Sequence, residues 1–274
     1  MICLTGDIHH QLNAPNQALI QTPEISLATN YLSITARYRL KTTLFITGKT
    51  FKESEKKIKE ISHFNNLEIG GHTWSALKPA WLHSFFTLTT GSFYGPKSYQ
   101  HRDIKRTLQI IKEKTGFQPV SWRTHSYQSD KNTVRLLEKN GVRILSDRVL
   151  VKKLKPYKIP NSNLISLPIN VLPDHEHLYH GKRNEEQVRK LINKGWQDDF
   201  TNQSYQPDRY FEIIKQQVKK IEKQGGIATL LLHPICMKIV DNFQSFEKFC
   251  QWLRKKNYKT ICCQEITTIT KNEN

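Results

Sequence analysis

Residues 3–10 read CLTGDIHH, an apolar strand-like run that reaches a glycine and then places an aspartate and two histidines at its end. The next two segments decide the fold. Residues 24–40 carry Ile25, Ala28, Leu32, Ala36 and Leu40 at helical spacing, and residues 41–48, KTTLFITG, are β-branched and aromatic up to a glycine. Strand, helix and strand in that order make a βαβ unit with parallel strands. The alternation continues outward. Residues 51–64 read as a helix, 67–72 as a strand, and 102–116 as a helix closed by Gly116. Residues 120–125 are strand-like, 130–141 form a helix between an Asp130 cap and a Gly141 stop, and 142–147 are again a strand. Strands at 166–171 and 227–234 flank a long amphipathic helix at 207–226, and a last helix covers 243–257. With no repeat or linker, the pattern predicts one α/β domain over residues 1–274, its parallel strands closed or nearly closed as a barrel. An open doubly wound sheet is disfavoured, because no G-x-G-x-x-G follows the first strand.

Composition narrows the class. The chain has 274 residues, of which 37% are apolar and 10% aromatic, enough for a substantial core. No run of about 18 apolar residues occurs, and no basic and apolar leader precedes the first strand, so neither a membrane span nor a cleaved signal is expected. The five cysteines (3, 236, 250, 262 and 263) form no CxxC and mostly sit in apolar runs, as in a reducing cytoplasm. Lys and Arg outnumber Asp and Glu by 42 to 24, a net charge of +18. That charge is spread over Lys-rich helical faces with no interleaved aromatics, which argues against nucleic acid as the main partner. The oligomeric state is left open.

In parallel α/β folds, ligands bind at the carboxyl ends of the strands. Here those ends carry Asp7, His9 and His10; His72; Arg123 and His125; Asp147; Asp174, His175, Glu176 and His177; and His233. One such histidine more often caps a carbonyl than binds metal. Eight of the eleven histidines (9, 10, 72, 125, 175, 177, 180 and 233) lie at or just past these ends, and neutral imidazoles beside carboxylates suit a divalent metal with an open position for water. Zinc is the first expectation, with Co, Ni, Fe or Mn as alternatives.

These segments, in this order, resemble the polysaccharide deacetylases of the NodB-homology type, carbohydrate esterase family 4. The resemblance runs from residue 2 to about residue 265. It implies a distorted, seven-stranded (β/α) barrel and a metal-dependent hydrolase that removes acetyl groups from glycans. LTGD matches the family's first motif, T-F-D-D, which would make Asp7 the general base. EIGGHTWSA matches the second, H-[ST]-x-x-H, which would make His72 a metal ligand. In WRTHSY, Arg123 would orient the base aspartate; in GVRILSD, Asp147 would tune the catalytic histidine; in ATLLLHP, His233 would be the general acid.

Two positions depart from the pattern. The second aspartate of the first motif and the second histidine of the second are metal ligands in the family, but here they are Ile8 and Ala76. Either the site has lost its metal or other residues supply the ligands. Alternate residues of an extended strand share a face, so Asp7 and His9 should point together. Asp7, His9 or His10, and His72 would make a three-ligand set, with His125 as a substitute ligand or base. The LPDHEHLYHG segment, which no family motif accounts for, puts His175 and His177 on one side of an extended run with His180 nearby, either a solvated loop or a cover over the metal. Trp74, Trp81, Phe85 and Phe86 are expected as core or as a sugar wall, and Tyr127 as a cap on the pocket.

The expected function is a metal-dependent deacetylase acting on a small glycan or glycan precursor. The rivals are a metal-free, non-catalytic barrel that binds a saccharide or an anionic partner, and an allantoinase-like hydrolase of another C–N bond.

Overall fold

The computed structural model describes residues 1–12 and 14–272. Eight strands form one sheet: β1 (Ile2–Ile8), β2 (Thr42–Ile46), β3 (Leu67–Gly71), β4 (Ser121–Trp122), β5 (Ile144–Leu145), β6 (Tyr157–Lys158), β7 (Ile165–Ser166) and β8 (Ala228–Leu231). Their order is β6-β7-β5-β4-β3-β2-β1-β8, curled into an incomplete barrel. Seven strands run parallel, as expected, and β6 adds an antiparallel edge to β7. Helices Glu24–Arg37, Pro207–Lys223 and Gln244–Lys255 supply much of the apolar shell packed against β1, β2 and β8.

The two-residue period of each strand sorts side chains between shell and interior. On β1, Ile2, Leu4 and Ile8 join the large outer core, while Cys3 belongs to a separate cluster with Phe45, Ile144, Leu167, Ile227, Ile261 and Cys263. That cluster plugs the amino-terminal end of the barrel. Above it, the same interior faces present Thr5 and Asp7 from β1 and Phe45 from β2. They continue with Gly70 and His72 from β3, Ser121 and Arg123 from β4, and His233 from β8. Gly70 belongs to this layer because a Cβ there would lie 2.6 Å from the Phe45 ring and 2.7 Å from the Ser121 hydroxyl. The apolar plug and the polar layer are therefore consequences of strand parity.

Local signals account for most boundaries. The helix Lys131–Lys139 is capped by Asp130, whose carboxylate accepts from the Asn132 and Thr133 amides, while Gly116 ends Lys97–Thr115 in the left-handed region. The single helix expected over 51–64 is two, Gly48–Glu53 and Glu55–Ser62, broken at Ser54. Helices Ala80–Thr90, Asp174–His177, Glu185–Asn193 and Pro234–Asp241 were not anticipated. The first of these leaves Trp81 and Phe85 largely exposed, so neither is core.

One side chain bridges the seam between β7 and β8. Downstream of β7, the Asn170 amide copies a peptide group: its Oδ1 accepts from the Thr229 amide at 2.9 Å and its Nδ2 donates to the Ile227 carbonyl at 3.0 Å. Asn170→Ala would leave both backbone groups buried without partners, at about 1–3 kcal/mol each. The expected loss in urea unfolding is about 2–4 kcal/mol with an unchanged m-value; a loss below about 1 kcal/mol would mean that the seam does not need this amide.

Candidate active site

The interior row of β1 ends in Asp7, and Arg123 meets it there. Arg123 is fully buried: Nη1 donates to Asp7 Oδ1 at 2.9 Å, Nη2 to the Thr5 and Ser146 hydroxyls, and Nε to the Ser146 carbonyl at 2.7 Å. Burial alone would raise the Asp7 carboxyl, but Arg123, His72, His233 and His9 outweigh it and hold it well below the usual carboxylate range. Asp7 is therefore ionised and fixed in orientation.

Three imidazoles converge above it. His72 Nδ1–H donates to the Arg123 carbonyl at 2.8 Å, which leaves its Nε2 lone pair facing His125 Nδ1 at 3.2 Å. His9 Nδ1 faces a Glu24 carboxylate oxygen at 3.0 Å, which fixes its Nε2 as a lone pair also 3.2 Å from His125 Nδ1. The three ligand atoms lie within 4.8 Å of one another. Zn–N bonds of about 2.0–2.1 Å in tetrahedral geometry separate ligand nitrogens by about 3.3–3.4 Å, close to both 3.2 Å spacings. One proton on His125 Nδ1 cannot serve both lone pairs at once, whereas a cation between the rings satisfies all three. Burial holds His72 down at about 3 and His125 well below the usual value, in the neutral form that ligation needs. The donor set fits a divalent ion, with Glu24 and the Arg123 carbonyl orienting two of its ligands.

The loops that present these rings are strained. Thr73, Ala76 and Leu77 after His72, and Ser126 and Tyr127 after His125, all have φ between 50° and 59°. Non-glycine residues in this region cost about 1–3 kcal/mol each. Strain of this kind collects where the surroundings fix a geometry that local preference would reject.

His233 faces Asp7 from the other side, its Nε2 3.8 Å from Asp7 Oδ2, while His72 Nε2 is 3.9 Å from the same oxygen. The partner of His233 is Asp174, whose Oδ1 accepts from Nδ1 at 2.7 Å and whose Oδ2 accepts from the His233 amide at 2.5 Å. Burial opposes charge on His233, but Asp174, Asp7 and Glu176 overcome it and push the imidazole up to about 9. Asp147, expected in the role of Asp174, does not reach His233. It is buried, neither of its oxygens has a hydrogen-bond partner among the described residues, and burial pushes it up to about 6.

The remaining expected residues divide. His10 turns away from the cluster, its Nδ1 3.3 Å from the Thr47 hydroxyl, because strand parity sends it opposite to His9. Trp74 is buried under Arg106, whose guanidinium carbon lies 3.5 Å from the ring centroid, and its amide donates to Asp103; it does not line the cavity. Residues 174–177 are a helical turn, not an extended run, so His175 and His177 diverge. His177 Nε2 contacts Asp198 at 2.7 Å and its Nδ1 the Gln203 carbonyl, anchoring the loop beyond helix Glu185–Asn193. His175, His180 and Tyr127 line a cavity of about 550 Å³ together with Asp7, His9, His125 and His233. A second grouping, His175, His233 and Cys236, is a poorer metal site, because burial keeps the Cys236 thiol protonated and His233 Nδ1 is committed to Asp174. Glu24 carried no sequence signal, since a glutamate in a helix's first turn is ordinary, and Asp174 was legible only as one of several polar residues in its segment.

Residues 23–145 match the family model for polysaccharide deacetylases. Over that segment, a little under half of its length, the chain is similar to polysaccharide deacetylases. No curated protein sequence matches it. Among solved structures, a Mycobacterium smegmatis protein assigned as a polysaccharide deacetylase superposes with a TM-score of 0.71 at 16% identity, covering 99% of this chain and 90% of that one. The PuuE allantoinase gives 0.64 at 13%, covering 96% and 86%. A family 4 pseudoenzyme from Bacillus anthracis gives 0.53 at 13%, covering 97% and 65%. At these identities the likenesses establish the fold. Within it, this chain has Ile8 buried in the outer core and Ala76 buried in a left-handed turn.

Two measurements test this geometry. Glu24→Gln keeps the shape but removes the carboxylate behind His9, and should weaken Zn affinity by about tenfold in a competitive chelator titration; unchanged affinity would remove Glu24 from the site. Asp147 takes up a proton on folding, because its folded value near 6 exceeds the ordinary 3.8. Stability should therefore fall as pH rises from about 4 to 6, by on the order of 2–3 kcal/mol. Asp147→Asn should flatten that slope in urea midpoints and raise stability above pH 6.

Proposed function

We propose that this chain is a metal-dependent hydrolase that removes an acetyl group, N- or O-linked, from a small glycan or glycan precursor. The convergence of His9 Nε2, His72 Nε2 and His125 Nδ1 beside Asp7 carries this reading. A divalent ion held there, zinc first, would supply Lewis acidity to polarise the acyl carbonyl and make water nucleophilic at neutral pH.

The chain's own groups fit the rest of the reaction. Asp7, ionised and held by Arg123, faces the cavity as general base for the attacking water. His233, charged at neutral pH, is poised to protonate the departing nitrogen or oxygen, with Asp174 holding its Nδ1–H. A base held low and an acid held high, with 3.8 Å between them, match the two proton transfers of acyl hydrolysis. Tyr127, whose phenol burial keeps protonated, is available to donate to the developing oxyanion. A cavity of about 550 Å³ suits a small glycan.

Ile8 and Ala76, standing where the family's ligands stand, favour the rival of a metal-free binding barrel. Metal content separates the two. Purified wild-type protein should hold about one equivalent of divalent metal by element-resolved mass spectrometry, and His72→Ala and His125→Ala should each lose it. Absence of metal even after reconstitution would sink the hydrolase. With metal bound, His233→Ala should keep the ion and lose deacetylation of acetylated sugars by about 100-fold or more. Turnover of small cyclic amides in place of acetylated sugars would instead favour an allantoinase-like activity.

A further inference from the structure

Most of the large exposed hydrophobic side chains lie on segments that adjoin the lining of the cavity. In helix Ala80–Thr90, Trp81 is 71% exposed, Phe85 55% and Leu88 86%. At about 100° per residue these three share one narrow face. The opposite face holds the helix to the protein: His83 Nδ1 donates to the Phe93 carbonyl, and Phe86 packs on Tyr99. Trp81, in the first turn of this helix, is three residues after Lys78, which lines the cavity. Leu19, also exposed, sits three residues after the lining residue Asn16 and against Gly181, next to the lining residues His180 and Lys182. Ile192 follows the lining residue Leu191. Of the large exposed hydrophobics among the described residues, Phe117 alone stands apart from this rim.

Acids line the cavity itself (Asp7, Glu24 and Glu176) and open the helix that carries Ile192 (Glu185 and Glu186), but three of the rim segments carry no acid. No aspartate or glutamate occurs in residues 8–23, 69–102 or 177–184, the segments that carry Leu19, the exposed helix and the Lys182-Arg183 pair. Lys78, Lys97, Arg102, Lys182 and Arg183 do occur there, and Arg183 keeps a buried Nη2 without a hydrogen-bond partner among the described residues. Exposed aromatic and aliphatic side chains beside a local excess of cations are the chemistry of a protein that sits on an anionic lipid surface. A second copy of this chain fits less well, since a two-fold contact here would set the rim cations of one copy against those of the other.

We propose that the cavity rim docks on an anionic phospholipid bilayer, with Trp81, Phe85 and Leu88 entering the headgroup region and Lys78 and Lys182 meeting lipid phosphates. The docking does not depend on the hydrolase reading. If both hold, the site opens onto the membrane and takes glycans carried on a lipid.

Sedimentation with vesicles tests it. Wild-type protein should pellet with phosphatidylglycerol–phosphatidylcholine vesicles and stay in solution with phosphatidylcholine alone. The Trp81→Ser, Leu88→Ser double variant should partition about tenfold more weakly, with an unchanged thermal melt because both residues are exposed. Lys78→Gln with Lys182→Gln should lower binding to the anionic vesicles in the same assay and give it a weaker salt dependence. Wild-type protein that ignores anionic vesicles would overturn the proposal. So would a folded double variant that binds as well as wild type, or a dimer by light scattering that the double variant turns into a monomer.

Discussion

The guanidinium of Arg123 is the charge around which the interior is arranged. A cation at the centre of a barrel, with no access to water, must be paired and its donors satisfied, or the fold carries an uncompensated buried charge. Asp7 provides the counter-charge, and Thr5, Ser146 and the Ser146 carbonyl take the other donors. Those partners come from β1 and the end of β5, so one side chain ties three strands together just below the histidine cluster. The Phe45 ring, 4.4 Å from the guanidinium carbon, closes the layer below. Because Arg123 fixes Asp7, and its own carbonyl fixes the tautomer of His72, the carboxylate and the first imidazole are set by a single residue.

The rest of the site is built outward from that layer by carboxylates that hold imidazoles in defined states. Glu24 turns His9 so that a lone pair faces inward, and Asp174 turns His233 so that Nε2 faces Asp7. His72 and His125 differ in charge from His233 for a physical reason. His72 and His125 have no carboxylate hydrogen-bonded to them, and burial outweighs the pull of Asp7 and drives them neutral, whereas His233 is hydrogen-bonded to one carboxylate with two more nearby, and is driven positive. Neutral rings suit ligation and a charged ring suits proton donation, so the electrostatics separate the two tasks within one cavity.

How far this was legible in the sequence depended on whether parity or loop geometry set the position. The alternation of strands and helices, the placement of polar residues at strand ends and the pairing of Asp7 with Arg123 follow from periodicity and motif order. Parity also separates His9 from His10, since adjacent residues at a strand end face opposite ways. The partner of His233 was not legible, because Asp147 and Asp174 both follow strand-like segments, and only the turn at 174–177 brings one of them across to β8. Likewise Trp74 and His177 sit in polar surroundings in the sequence but are drawn into structural contacts with Arg106, on a helix, and Asp198, in a loop, neither of which carries an active-site signal.

The two departures from the family pattern make sense together in geometric terms. At position 8 the side chain points into the outer core between sheet and helices, where Ile8 is buried and a metal ligand could not serve the interior. Position 76 sits in a left-handed turn, where alanine is buried and presents nothing beyond its methyl. The imidazoles that face inward stand instead one residue past β1, at His9, and on the strained turn after β4, at His125. A chain that had merely lost its ligands would have no reason to keep Glu24 behind one ring and to bend Ser126 and Tyr127 into the left-handed region behind the other. The left-handed residues cost stability through backbone strain, whereas the Glu24 carboxylate is held ionised by His9 and Gln17, and a cation shared by the three rings would offset the strain.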